Sequence, residues 1–248
     1  MAVMSRFTTP SSAFLSFVNV FFDMLVYILF ANIIFNYVPY VAGFSRDQLF
    51  IITGTSMIIE ALSWFTFRSG VSGLPHHVQK GTIESAFVRP LPSQFLALFN
   101  RMDPEDSVRI FTALILIVPH AAAIAFPAAL HIPLYIISLV AGLVIYFALL
   151  SSIASLSFFF GRMDGFYAVV ASIIETSHYP FTIFSKKLQW IFMSILPTAF
   201  LGSIPTLVLT TNNHFYWTIV SIFVAMVSFY ISTKIWHYTS SKYAGASG

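Results

Sequence analysis

Residues 68–109 read RSGVSGLPHHVQKGTIESAFVRPLPSQFLALFNRMDPEDSVR and form the only extended polar tract in the chain. An apolar run from about Leu49 to Phe67 precedes it, and another, Ile110 to Ala129, follows it. About 20 apolar residues cross the roughly 30 Å of hydrocarbon in a bilayer, so the tract connects two membrane spans. The fold is read outward from it.

Upstream, Phe14 to Tyr40 is a first span. It is too long for the roughly 7–15-residue core of a signal peptide and no small-residue cleavage site follows, so it reads as retained. Downstream, His131 and Pro133 turn the third span, 110–129, into a fourth, 134–160. A fifth, 165–184, is interrupted by Glu175, His178 and Pro180. Residues 188–209 contain Pro197, Gly202 and Pro205, which would strip a full span of backbone hydrogen bonds. That stretch reads as two half-helices dipping in from one side. Residues 215–235 are a clean sixth span, ending in Trp236, His237 and Tyr238. The expectation is an all-α polytopic membrane protein: one transmembrane domain over 1–248, six transmembrane helices, an amphipathic helix in the 75–103 region and a re-entrant segment at 188–209.

Composition agrees. Of 248 residues, 58% are hydrophobic and 8% charged, 28 are Phe, and the mean hydropathy is +0.84. A soluble fold carries roughly 25% charged residues. A cytosolic enzyme, a nucleic-acid module and a disordered chain are excluded, and the net charge of +3 reflects loops at a membrane surface rather than a nucleic-acid partner. With no Cys, disulfides, thiolate metal sites and Cys nucleophiles are excluded together.

Lys and Arg concentrate in cytoplasmic loops. With six spans, one side carries Arg6, Arg68, Lys80, Arg89, Arg101, Arg109, Arg162, Lys234 and Lys242, and the other Arg46, Lys186 and Lys187. Both termini and the polar tract are therefore expected in the cytoplasm. Tyr37, Tyr40, Trp190, Tyr216 and Trp217 then fall at the outer interface, and Trp236 and Tyr238 at the inner one, as an aromatic belt.

Within the tract, Pro75 to Arg89 opens with Pro at a first-turn position and sets Val78, Thr82, Ile83, Ala86 and Phe87 on one side at helical spacing, with Gln79, Lys80 and Glu84 opposite. This predicts an interfacial helix stopped by Arg89-Pro90-Leu91-Pro92. Ser93 is expected to cap a second helix with Phe95, Leu96, Phe99 and Met102 on one face, and Asp103 to cap the third span.

Three motifs, Gly81-Thr-Ile-Glu84, Arg89-Pro90-Leu91-Pro92 and Phe99-Asn-Arg101-Met-Asp103, lie between the second and third spans. In that position they resemble the permease subunits of type-2 ATP-binding cassette (ABC) transporters, and more narrowly a small six-span bacterial branch. Tyr179-Pro180, Ile195-Leu-Pro197-Thr-Ala-Phe200 and Pro205 resemble that branch's broken outer segment. The resemblance implies that the helix after the second span is an ATPase-coupling helix, with Lys80, Gly81, Glu84, Phe87, Arg89, Pro90, Arg101 and Asp103 as the coupling residues of the 75–103 region. It also implies a separate ATPase subunit that holds ATP and Mg, a second permease, identical or homologous, and the bacterial inner membrane. The chain itself has no Gly-x-x-x-x-Gly-Lys-Ser/Thr phosphate loop.

Ionisable residues inside spans are costly and point to function. Asp23, Glu60, Glu175 and His178 are the candidates for a translocation pathway, and Glu175 and His178, three apart, share a helical face as a relay or substrate pair. Satisfied interhelical contacts are the plainer reading of each. His76 and His77 are adjacent and do not make a zinc pair, no Gly-x-Ser-x-Gly elbow exists, and no catalytic or metal centre is expected. Three functions compete: an ATP-driven permease moving an amphiphilic or hydrophobic compound outward, a proton-coupled secondary transporter, and a membrane-embedded lipid-modifying enzyme.

Overall fold

A computed structural model describes residues 10–99, 107–124, 130–161 and 164–243. The architecture is all-helical, 82% helix with no strand among the described residues. The first helix, α1, is Pro10–Phe35. Next, α2 (Arg46–Ser63) opens on a capping box in which the Ser45 hydroxyl accepts from the Gln48 N–H while the Gln48 carbonyl oxygen accepts from the Ser45 N–H. A π-turn, Trp64–Arg68, leads without a break into α3, Ser69–Gln79. Two short helices follow, α4 (Glu84–Phe87) and α5 (Ser93–Leu98), then α6 (Ser107–Ala123), α7 (His131–Ser155) and α8 (Ser157–Phe160). Beyond them lie α9 (Asp164–Glu175), α10 (Lys186–Ser194), α11 (Ser203–Thr210) and α12 (His214–Ser241).

Among the described residues three helical rods are long and apolar enough to cross a membrane: Arg46–Gln79, His131–Phe160 and His214–Ser241. Met24–Phe35 and Arg109–Ala123 are shorter apolar helices. The rods differ in surroundings. Residues 49–61 of α2 are buried throughout, whereas α12 turns Phe215, Tyr216, Ile219, Phe223, Met226 and Tyr230 outward. An apolar solvent gives little reward for burying apolar side chains, so close packing and internal hydrogen bonds must hold such a bundle together.

Those bonds concentrate where the helices break. Pro180 forces Tyr179 out of the helical region (φ −114°, ψ 154°), so the fifth apolar stretch is helical only to Glu175 plus one 3-10 turn, Thr176–His178, rather than over 165–184. Hydroxyls on α2 take up the carbonyls this releases. Thr53 donates to His178 O (3.2 Å) and Ser56 to Ser177 O (2.8 Å). Residues 188–209 then form two short helices, α10 and α11, joined by the 3-10 turn Thr198–Leu201 that follows Pro197. Pro205 is the third residue of α11, where the helix needs no N–H. Gly202 sits against Ser177 O and the Ser56 hydroxyl, and any Cβ would collide with both.

The polar tract departs from the sequence expectation. Instead of one helix from Pro75 to Arg89, α3 runs on from α2 with Pro75 buried inside it, and the chain turns at Lys80-Gly81 before α4. Gly81 adopts a left-handed φ of +71°, which ends α3, and its N–H reaches back to Val78 O (3.2 Å). Nor does Ser93 cap α5: the cap position is Pro92, and the Ser93 hydroxyl accepts instead from the Trp236 indole N–H (3.0 Å).

Candidate functional site

The polar centre of the bundle is built from three helices, α1, α2 and α6, and the 3-10 turn Thr176–His178. Glu60, fourteen residues into α2, is 7% exposed, and its Oε1 lies 3.1 Å from His178 Nε2. Its Oε2 lies 3.7 Å from an Arg109 guanidinium nitrogen of α6. The Tyr27 ring of α1 stacks on the His178 imidazole, centroids 5.4 Å apart and 10° from parallel. His178 Nδ1 is buried with no hydrogen-bond partner among the described residues. A carboxylate held between a guanidinium and an imidazole at this depth is nearly neutral as a group, so it can be buried at tolerable cost.

This assembly differs from the one read in the sequence. Glu175 is exposed at the end of α9, and His178 pairs with Glu60 rather than with it. The helix gives way to the 3-10 turn between the two residues, and the buried carboxylate of α2 takes the imidazole. Arg109 and Tyr27 were not singled out, because a pairing across four segments leaves no local spacing to read. Asp23 falls on α1, and its side chain lies outside the described residues.

At one end of the bundle α3, α4 and α5 form a polar cap. Lys80, Glu84, Arg89 and Pro90 are exposed, and Gly81 is half-buried in the turn. Val88 is 84% exposed. Ile83 and Ala86 are buried, whereas Phe87 is only partly covered, tilted against Phe158 of α8 at 6.3 Å. Arg101 and Asp103 lie outside the described residues. The cap is fastened to the long helices. Gln94 of α5 is buried and its amide donates to both Ser151 of α7 (2.8 Å) and Ser232 of α12 (3.2 Å). Gly70 of α3 touches the Leu98 backbone so closely that no side chain fits between α3 and α5.

Trp236, expected at the lipid interface, is fully buried (0% exposed) between Ser93 and the edge of Phe158, at 5.3 Å. An indole whose N–H finds a protein acceptor is satisfied inside, and it joins α12 to α5. Tyr238, two residues on and so on the opposite side of α12, is exposed. Past α12, the Tyr243 hydroxyl donates to Val78 O (2.9 Å). Its ionisation is pushed above the ordinary phenol range by burial and by the Glu84 carboxylate, which keeps that proton in place.

Among the described residues no three His, Asp or Glu side chains are grouped to hold a metal ion. The arrangement offers a paired charge at depth, a broken segment wedged against α2, and an exposed cap tied rigidly to the long helices.

Comparison with known proteins gives one match. The family model described as ABC-2 family transporter protein matches residues 21–247. No curated protein and no solved structure matches the chain. The match runs from the middle of α1 through α12, so the chain belongs to the ABC-2 family of transporter proteins, transport components of the membrane that partner an ABC ATPase subunit.

Proposed function

We propose that the chain is one of two permeases in an ABC exporter of an amphiphilic or hydrophobic compound. ATP and Mg are held by a separate ATPase that docks on the α3–α5 cap. Six spans cross a bacterial inner membrane, formed by α1, the α2–α3 rod, α6, α7, α9 with its 3-10 turn, and α12, and both termini are cytoplasmic. The α10–α11 segment re-enters from the outer side. One observation carries this reading. The cap combines exposed charges, Glu84 and Arg89, with a buried fork at Gln94 that ties it to α7 and α12, so force applied to the cap reaches the bundle without slack.

The route runs between two permeases. Phe22, Val26, Leu29 and Ile33 of α1 are more than half exposed, an apolar face fit for lipid or for a second permease. Co-purification from native membranes tests the whole reading: an ABC ATPase and a second permease are expected to accompany the chain, and their joint absence overturns it. A second reading, proton-coupled transport without an ATPase, draws on the buried Glu60–His178 pair. Transport that persists in vesicles depleted of ATP and collapses with the proton gradient favours it.

A further inference from the structure

A cavity of about 270 Å³ lies between the π-turn Trp64–Arg68, α3, α7 and α9, beside the Glu60 centre but sharing none of its residues. Among the described residues its walls are Trp64, Val71, Ser72, Leu150, Ala171 and Ile174, and Arg68 is the charged one. The Arg68 guanidinium lies 4.6 Å over the Trp64 ring and 5.8 Å from the Tyr146 ring centre, so aromatic faces hold it in place. Among the described residues no carboxylate makes a contact ion pair with it; the Glu60 carboxylate feels its charge from beyond contact and is itself held by His178 and Arg109.

Depth gives that charge a meaning. Arg68 stands 22 residues along the rod from Arg46, roughly 33 Å at 1.5 Å per residue, which is one hydrocarbon thickness. With Arg46 at the outer boundary, Arg68 is level with the headgroups of the opposite leaflet, and the apolar walls extend beside it. The π-turn Trp64–Arg68 turns both residues to the cavity, and such turns recur at ligand sites.

We propose that this cavity admits an anionic amphiphile from the cytoplasmic leaflet, its phosphate or carboxylate paired with Arg68 and its chain laid along Val71, Leu150 and Ala171. A cationic head is repelled, and a zwitterionic one brings a positive group that Arg68 does not welcome. The inference rests on the proposed function for its direction, uptake from the cytoplasmic side, and narrows the transported compound to an acidic one.

The test counts bound lipid and needs no turnover. The full chain, purified from membranes with its associated subunits, is exchanged into detergent with equal dioleoylphosphatidylglycerol and dioleoylphosphatidylcholine, and retained lipid is read by native mass spectrometry. About tenfold preference for the glycerol lipid is expected. Arg68→Ala is expected to abolish the preference, Arg68→Lys to keep most of it, and Ala171→Phe, which fills the cavity and leaves the charge, to lose it too. Lys242→Ala, an exposed cation elsewhere, is expected to change nothing. The two loss variants alter different walls, so a folding failure of one, seen as altered elution, leaves the other to decide. Equal retention of both lipids by the wild type overturns the proposal, as does an unchanged preference in Ala171→Phe, the mark of bulk-lipid pairing at the surface. Displacement of the lipid by millimolar inorganic phosphate overturns it as well, by reducing the site to a free-anion site. Loss of the lipid preference with the ATPase still associated sinks this inference alone, whereas an absent ATPase sinks the proposed function and leaves the lipid count as measured.

Discussion

The imidazole of His178 meets the carboxylate of Glu60 at 3.1 Å although 118 positions of sequence separate them. This contact ties the broken end of the fifth apolar stretch to the middle of α2, with Arg109 on the carboxylate's other oxygen. Removing one partner leaves the others buried without compensation, which costs about 3–5 kcal/mol. Glu60→Ala is expected to lose that much stability to denaturant in detergent. The double variant Glu60→Ala/His178→Ala is expected to lose less than the sum of the singles by roughly 0.5–3 kcal/mol. Strict additivity would show the two side chains to be independent.

Gln94 carries the second prediction. Gln94→Ala removes two hydrogen bonds and leaves the hydroxyls of Ser151 and Ser232 with local carbonyls or nothing, a cost of about 1–3 kcal/mol. The chain is expected to insert and still associate with its ATPase, while transport per ATP hydrolysed falls several-fold. An unchanged ratio of transport to hydrolysis would mean the fork transmits no force.

Charge reversal on the cap separates docking from anchoring. Glu84→Lys and Arg89→Glu are expected to abolish ATPase co-purification, because desolvated interface charges are worth on the order of 2–5 kcal/mol. Lys242→Glu, an exposed charge worth about 0–1 kcal/mol, is expected to keep it. Wild-type association of both cap variants would reduce the cap to a membrane-surface feature.

Topology is directly testable because the chain has no native Cys. Asn213 and Ser85 are exposed, unlike Ser93, and accept a Cys without loss of a hydrogen bond to another segment. Cys at Asn213 is expected to react with a membrane-impermeant maleimide in intact cells, and Cys at Ser85 or Ser241 only after permeabilisation. Labelling at Ser241 from outside would add a seventh span.

What the sequence made legible was local. The interruption at Pro197, Gly202 and Pro205 is written in nearby residues, and the long apolar rods in runs of them. Gly81 was quoted as part of a motif, yet its left-handed turn, which splits the expected helix, depends on a backbone state that most glycines do not adopt. Trp236 looked like a belt residue because a Trp after an apolar run has that statistical place, while its acceptor, Ser93, is 143 positions away. Gln94 was invisible for the same reason. Ser151 and Ser232, polar residues toward the C-terminal ends of long, largely apolar helices, are its signal in the sequence.

The hydroxyls of Thr53 and Ser56 also set an order of manufacture. They serve carbonyls of Ser177, His178 and Leu201, which are made 121 to 145 positions later. A non-helical backbone is stable at membrane depth only where protein shelters it. If helices enter the bilayer in chain order, α2 is expected to be in place first as a template, and the later segment to settle onto it instead of onto lipid. A fragment beginning after α2 has no such template, so residues 176–210 are expected to remain at the membrane surface until α2 is supplied in trans.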